Sequence, residues 1–245
     1  MAERRVEHVM GMPVLVDVRD PGADAAAVDR VFGWLRFVDA TFSTYRADSE
    51  ISRLDRGELA LSDAHPLVRD VLARCERLRA DTGGYFDARA RGGLDPSGLV
   101  KGSSVDRAAE LLSAAGASCF CVNAGGDVLV RGGPWRVGVQ HPHRRDRVAA
   151  VLSVSDAAVA TSGAYERGDH VIDPLTGCPP SEALAVTVLG RDLATADAFA
   201  TAAFAMGEHG PEWTARLPGC GAMTILAGDR VLFTPRFLRH RVCAS

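Results

Sequence analysis

From Cys119 onward the sequence is a succession of short apolar runs, CFCVN, VLV, WRVGV, AAVLSV, VTVL, MTIL and VLF, separated by Gly-, Pro- and Asp-rich breaks. Runs of this length and β-branched content read as strands, and their hairpin-like clustering asks for a sheet. One long helical pattern, near Leu193 to Met206, interrupts them. The first half of the chain supplies helices to cover that sheet. Val28, Val31, Phe32, Leu35, Val38 and Phe42 recur at steps of three and four, which makes a single apolar stripe. A second helix is predicted over Pro66–Ala80, with Leu67, Val71, Leu72, Cys75 and Leu78 inward, Pro66 at its start and Gly83 at its stop. A third is predicted over Ser103–Ala115. Pro13–Val18 reads as a strand, and 42–57 as loop with a short helix. Repeats, low-complexity tracts and linkers are absent from the sequence. The expectation is an α+β fold: one domain over 1–245, two-lobed, with an antiparallel or mixed sheet packed with helices.

Composition narrows the function. With 47% hydrophobic and 24% charged residues the chain is a globular one. A formal charge of −3 and the lack of a long basic tract argue against a nucleic-acid partner. No apolar run has the length of a membrane span. The start, MAERRVEHVMGMPV, shows no apolar export segment, so a cytoplasmic protein is expected. The six cysteines (75, 119, 121, 178, 220 and 243) form no C-x-x-C pair and read as reduced, mostly buried thiols.

Several residue groups have chemistry to offer. Asp197 and Thr201 are four apart and share one helix face. A carboxylate and a hydroxyl are hard oxygen donors suited to Mg²⁺; alternatively, the pair is a solvated Asp and a Thr bonded back to its own helix. The segment Asp95 to Gly102, DPSGLVKG, feeds a helix, so its free N–H groups and Lys101 suit a phosphate, although it lacks the Walker pattern; a plain turn and cap is the other reading. His170, followed by the turn-forming Asp173-Pro174, has a side chain able to take a proton from an attacking hydroxyl near neutral pH. Tyr45 can stack on a π system and hydrogen-bond through its hydroxyl. His141 and His143, in HPHRRDR, are spaced like a metal pair but read better as a solvated hairpin loop.

Taken in order, six patches resemble the ApbE family, the FAD:protein FMN transferases. They are Met10-Gly11-Met12, FSTYRADSEISRL at 42–54, DPSGLVKGSSVDRAAELL at 95–112, NAGGDV at 123–128, TSGAYER with HVIDPLTG at 161–177, and DAFATAAFAMG at 197–207. The resemblance implies an architecture related to the T-fold. It also implies transfer of FMN from the substrate FAD, with Mg²⁺, to a threonine of an acceptor flavoprotein, with release of AMP. By the same resemblance, Asp197, Thr201 and the Gly98 carbonyl are the metal ligands. Met10, Tyr45, Tyr85, Phe86, Asp87, Asp95, Lys101 and Ile172 contact FAD, and His170 acts in the transfer. Met10 and Phe86 also read simply as core. Ala200 stands where some members carry a second acidic residue, which leaves open whether one or two Mg²⁺ bind. Two rival readings stand beside it: an FAD pyrophosphatase, which uses the same metal with water as acceptor, and a non-catalytic FAD carrier, which needs the same aromatic contacts but neither the Mg²⁺ pair nor His170.

Overall fold

Met10 and Gly11 turn the first strand back on itself. Strand β1 (Glu3–Val9) and strand β2 (Met12–Val18) are joined by these two residues alone, with φ of +56° and +71°. Two left-handed residues in succession give the hairpin turn whose twist matches that of paired strands. The computed structural model describes residues 3–21, 24–144, 146–163, 171–180 and 183–242. β1 is one of two strands that the sequence reading does not announce, the other being Ala157–Gly163. The charged and apolar residues of β1 are mixed, as on an edge strand that must not pair further, and β1 is indeed at one sheet edge.

The main sheet has eight strands. After β1 and β2 come β3 (Phe120–Ala124), β4 (Asp127–Arg131), β7 (Ala157–Gly163), β8 (Ala183–Gly190), β9 (Gly221–Leu226) and β10 (Arg230–Phe233). Every neighbouring pair is antiparallel, which resolves the expected sheet type. Between β4 and β7 the chain leaves the sheet as a separate hairpin, β5 (Trp135–Gln140) with β6 (Val148–Val154). Val137, Val139 and Leu152 of the hairpin pack on Val128, Val130, Val159 and Ile225 of one sheet face.

Three helices cover the other face: α1 (Ala25–Phe42), α4 (Ser97–Ala114) and α5 (Leu193–Ala205). Two more, the short α2 (Glu50–Asp55) and α3 (Pro66–Asp81), build a helical lobe around Phe42, Ile51, Val68, Cys75, Phe86 and Leu99. α5 is buried almost all round. Ala196, Ala200 and Ala203 belong to the sheet-side core, whereas Ala194, Ala198 and Ala202 belong to the helical lobe. Its first turn is held by α4: the Leu193 and Ala194 N–H groups donate to the Asp106 carboxylate at 2.8 and 2.9 Å, satisfying two otherwise orphaned donors. Burial pushes the Asp106 carboxyl above the usual range, and these two bonds oppose that rise.

One local expectation needs correction. α4 begins at Ser97, six residues before the predicted start, so Gly98 and Lys101 lie within its first turns and not in a loop. Pro96 and two glycines read as breakers, but Pro96 is the N-cap residue, and Gly102 is required by a close helix contact described below. Thr161, Ser162 and Gly163 end strand β7. Among the described cysteines only Cys75 is fully buried; Cys119, Cys121 and Cys220 are half-buried, Cys178 is exposed, and all five are free thiols. Cys243 lies outside the described residues. Burial pushes the Cys75 thiol up to about 12 and that of Cys121 to about 11, which keeps both unreactive at neutral pH.

Candidate active site

A cleft of about 1060 Å³ opens between the helical lobe and the strand ends of the sheet. Its walls include Met10, Tyr45, Tyr85, Phe86, Asp87, Asp95, Gly98, Lys101, Ile172, Asp197 and Thr201. Every candidate residue that falls among the described ones is therefore in one place. His170 lies outside the described residues; its neighbours Val171 and Ile172 line the cleft.

Each wall is set by local chemistry. Met10, held at positive φ by the β1–β2 turn, touches both core clusters, and its sulfur is 3.7 Å from Ser104 Oγ. A bulky residue in that conformation is an outlier that functional sites favour. The Phe86 N–H donates to Thr82 Oγ1 at 2.9 Å, and the ring is core and cleft wall at once. Asp87 accepts from Arg79 Nε at 3.2 Å and from the Arg89 N–H at 2.7 Å, so its carboxylate is already ordered. Asp95 accepts from the Ser97 N–H at 3.0 Å, which caps α4 from outside its proline. Asp173 accepts from the Leu175 N–H at 2.9 Å and from Thr176 Oγ1 at 3.0 Å, which fixes the turn that carries Ile172 and Pro174, as its Asp-Pro pair predicts. Tyr45 stands at the rim and is 90% exposed, a large ring without a packing partner of its own.

The floor is charged. Asp197, on the cleft face of α5, is 2% exposed, so it is not the solvated surface acid of the alternative reading. Thr201, one turn on, meets Ser162 Oγ at 3.2 Å. Gly98 faces them from α4: a Cβ there would lie 3.7 Å from Thr201 Oγ1 and 3.3 Å from the Phe86 ring. Lys101 Nζ lies 2.6 Å from Asp127 Oδ2 and 3.4 Å from Asp197 Oδ1, so one ammonium serves two buried carboxylates. Among the described residues no group of three or more His, Cys, Asp or Glu side chains is placed to hold a metal. Asp197 and Thr201 offer a carboxylate and a hydroxyl here, with the Gly98 backbone close by. That is an all-oxygen set, the kind Mg²⁺ takes together with waters or phosphates. Ala200, fully buried toward the sheet, adds no donor.

Asp127 is a residue of this site that the sequence reading did not select, whereas Ser162 belongs to the TSG patch of the resemblance and lines the cleft. Asp127 had a signal: an acid directly after two glycines and directly before the apolar run VLV, at a position where a strand should be burying side chains. His141 and His143 lie in the β5–β6 loop, as expected, and His141 faces Asp229 at 3.6 Å, not the floor of the cleft.

The model of the ApbE family matches residues 10–92 and 88–224, which is most of the chain. The chain belongs to the ApbE family. Among curated relatives, the FAD:protein FMN transferase of Rhodobacter capsulatus is 29% identical over 231 residues, covering 89% of this chain and 42% of the relative. The FAD:protein FMN transferase of Vibrio cholerae is 35% identical over 131 residues, 47% of this chain and 39% of the relative. The chain thus spans less than half the length of these ApbE relatives. The crystal structure of the ApbE protein from Thermotoga maritima superposes with a TM-score of 0.89 at 22% identity, covering 99% of this chain and all of that one, so the two share a fold. Among the described residues no helix is long and apolar enough to cross a membrane.

Proposed function

We propose that this chain, acting as one domain over 1–245, transfers FMN from FAD to a threonine hydroxyl of an acceptor flavoprotein and releases AMP. The observation that carries the reading is that the eleven described residues the resemblance names all line one cleft, with the buried Asp197 carboxylate and the Lys101 ammonium 3.4 Å apart in its wall. Tyr45, Met10, Phe86 and Ile172 offer apolar and aromatic surface for the flavin, with Tyr85, Asp87 and Asp95 beside them as polar contacts. Asp197, Thr201 and the Gly98 carbonyl would hold Mg²⁺, which when bound supplies neutralisation of the pyrophosphate charge. In the transfer the threonine Oγ–P bond forms, the P–O bond to AMP breaks, and the threonine proton passes to a base. His170 is our candidate for that base, worth roughly 10²–10⁴ in rate. The remaining work is positioning and charge, and a cleft walled by ordered side chains suits it. The free thiols of Cys75, Cys119, Cys121, Cys178 and Cys220 favour a reducing compartment, and we place the activity in the cytoplasm.

The test is product analysis by mass spectrometry after incubation with FAD, Mg²⁺ and a recombinant domain of the kind that carries threonine-linked FMN. The expected result is an acceptor heavier by one FMN less water, one AMP released per adduct, and no reaction with EDTA. Free FMN and AMP with an unmodified acceptor would establish the pyrophosphatase instead. Bound but intact FAD would establish a carrier.

A further inference from the structure

Asp127 takes no part in the chemistry above, yet it is 1% exposed, as buried as any carboxylate described. It opens β4 directly after a turn at Gly125-Gly126, where the Gly126 N–H donates to Asn123 Oδ1 at 3.0 Å. Its Oδ1 accepts the Thr161 N–H at 2.9 Å, which ties it to β7. Its Oδ2 takes the closer share of the Lys101 ammonium, 2.6 Å against 3.4 Å for Asp197. We infer that Asp127 is a positioning residue: it holds the Lys101 ammonium off Asp197, so that Asp197 can take a divalent cation. The inference deepens the metal reading above and rests on it.

The reasoning is competition. An ammonium and Mg²⁺ both seek the Asp197 carboxylate. Lysine is a compact charge on a flexible four-carbon stem, so it settles on the nearest fixed anion. With Asp127 ionised and clamped by the sheet, that anion is Asp127. With Asp127 made neutral, Asp197 becomes the nearest fixed anion of the trio. Lys101 then closes on it, and a metal must displace Lys101 before it binds.

The test is Mg²⁺ titration by calorimetry, checked by Mn²⁺ electron paramagnetic resonance, on the intact FAD-free protein. Four forms are compared: wild type, Asp127→Asn, Lys101→Met and the double variant. Asparagine still accepts from the Thr161 N–H, so the sheet contact survives, and melting curves check the fold. Asp127→Asn should weaken Mg²⁺ binding roughly tenfold to a hundredfold, as expected when a fixed charge a few ångströms away is lost and a competitor is released. In the Lys101→Met background the same substitution should cost less than about threefold, a non-additivity that a direct pairwise coupling produces and independent sites do not. Lys101→Met alone, which the loss of the shared ammonium destabilises and Mg²⁺ should rescue in melting curves, should bind at least as tightly as wild type, and this arm decides the matter if Asp127→Asn does not fold. Equal losses in both backgrounds, no loss in either, or weaker binding by Lys101→Met would overturn the inference while leaving the metal site standing. A wild-type protein that takes up no Mg²⁺ would overturn the metal reading itself, and this inference with it.

Discussion

Asp197→Asn should leave the protein folded and reduce Mg²⁺-dependent transfer by at least about a thousandfold, a barrier increase of roughly 4 kcal/mol. Asparagine has the shape of aspartate but only a neutral oxygen, so it keeps the packing of α5 while removing the anionic donor of an all-oxygen site. Losing one buried charge of a carboxylate–ammonium–carboxylate trio should not unfold the chain, because Lys101 retains Asp127 at 2.6 Å. The opposite change, Lys101 removed and both acids left, is the kind that costs several kcal/mol. The expected pattern is therefore specific: melting within a few degrees of wild type, FAD binding without metal little altered, and metal-dependent turnover absent. Wild-type turnover by Asp197→Asn would remove the metal assignment.

The second large effect is on the scaffold. Gly102 lies where α4 crosses the first turn of α5, and a Cβ built on it would lie 2.5 Å from the Leu193 carbonyl oxygen and 2.6 Å from Ala194 Cα. Those neighbours are backbone and cannot swing aside. Gly102→Ala should destabilise the protein by about 2–4 kcal/mol, in the range of overpacked cores or somewhat beyond. The sign is informative, because glycine to alanine inside a helix is otherwise favourable by about 1 kcal/mol. Gly33, in α1, has nothing within 4 Å of its Cβ position, and Gly33→Ala should show that ordinary gain. Chemical denaturation of the two variants beside wild type reads both signs. The variant at 102 should also lose activity beyond its loss of stability, since α4 carries Gly98 and Lys101 and α5 carries Asp197 and Thr201. A stabilised Gly102→Ala would mean the helices do not cross as described.

What was legible in the sequence follows from which physical signals are local. The stripe from Val28 to Phe42 is periodic over about four turns and specified α1, and the alanine-rich pattern from Leu193 specified α5. The start of α4 was not legible, because Pro96, Gly98 and Gly102 argue locally for a loop. The reason for Gly102 is a helix roughly ninety residues further along, which no local window contains. β1 was hidden by its charges, which belong to an edge strand. At the site, the i, i+4 spacing of Asp197 and Thr201 was visible as one helix face. The partnership of Lys101 with Asp127 joins residues from two separate motifs and exists only once the sheet has formed. Residue type and motif order thus located the cleft, and long-range packing decided which charge faces which.

The most direct test of the account is a crystal structure of the wild-type protein soaked with FAD and Mn²⁺, with data collected at the manganese edge. The account predicts an anomalous peak bonded to an Asp197 oxygen, Thr201 Oγ1 and a pyrophosphate oxygen, with the flavin ring between Tyr45 and Ile172. A pyrophosphate turned to solvent, or a manganese ion bound away from α5, would contradict it.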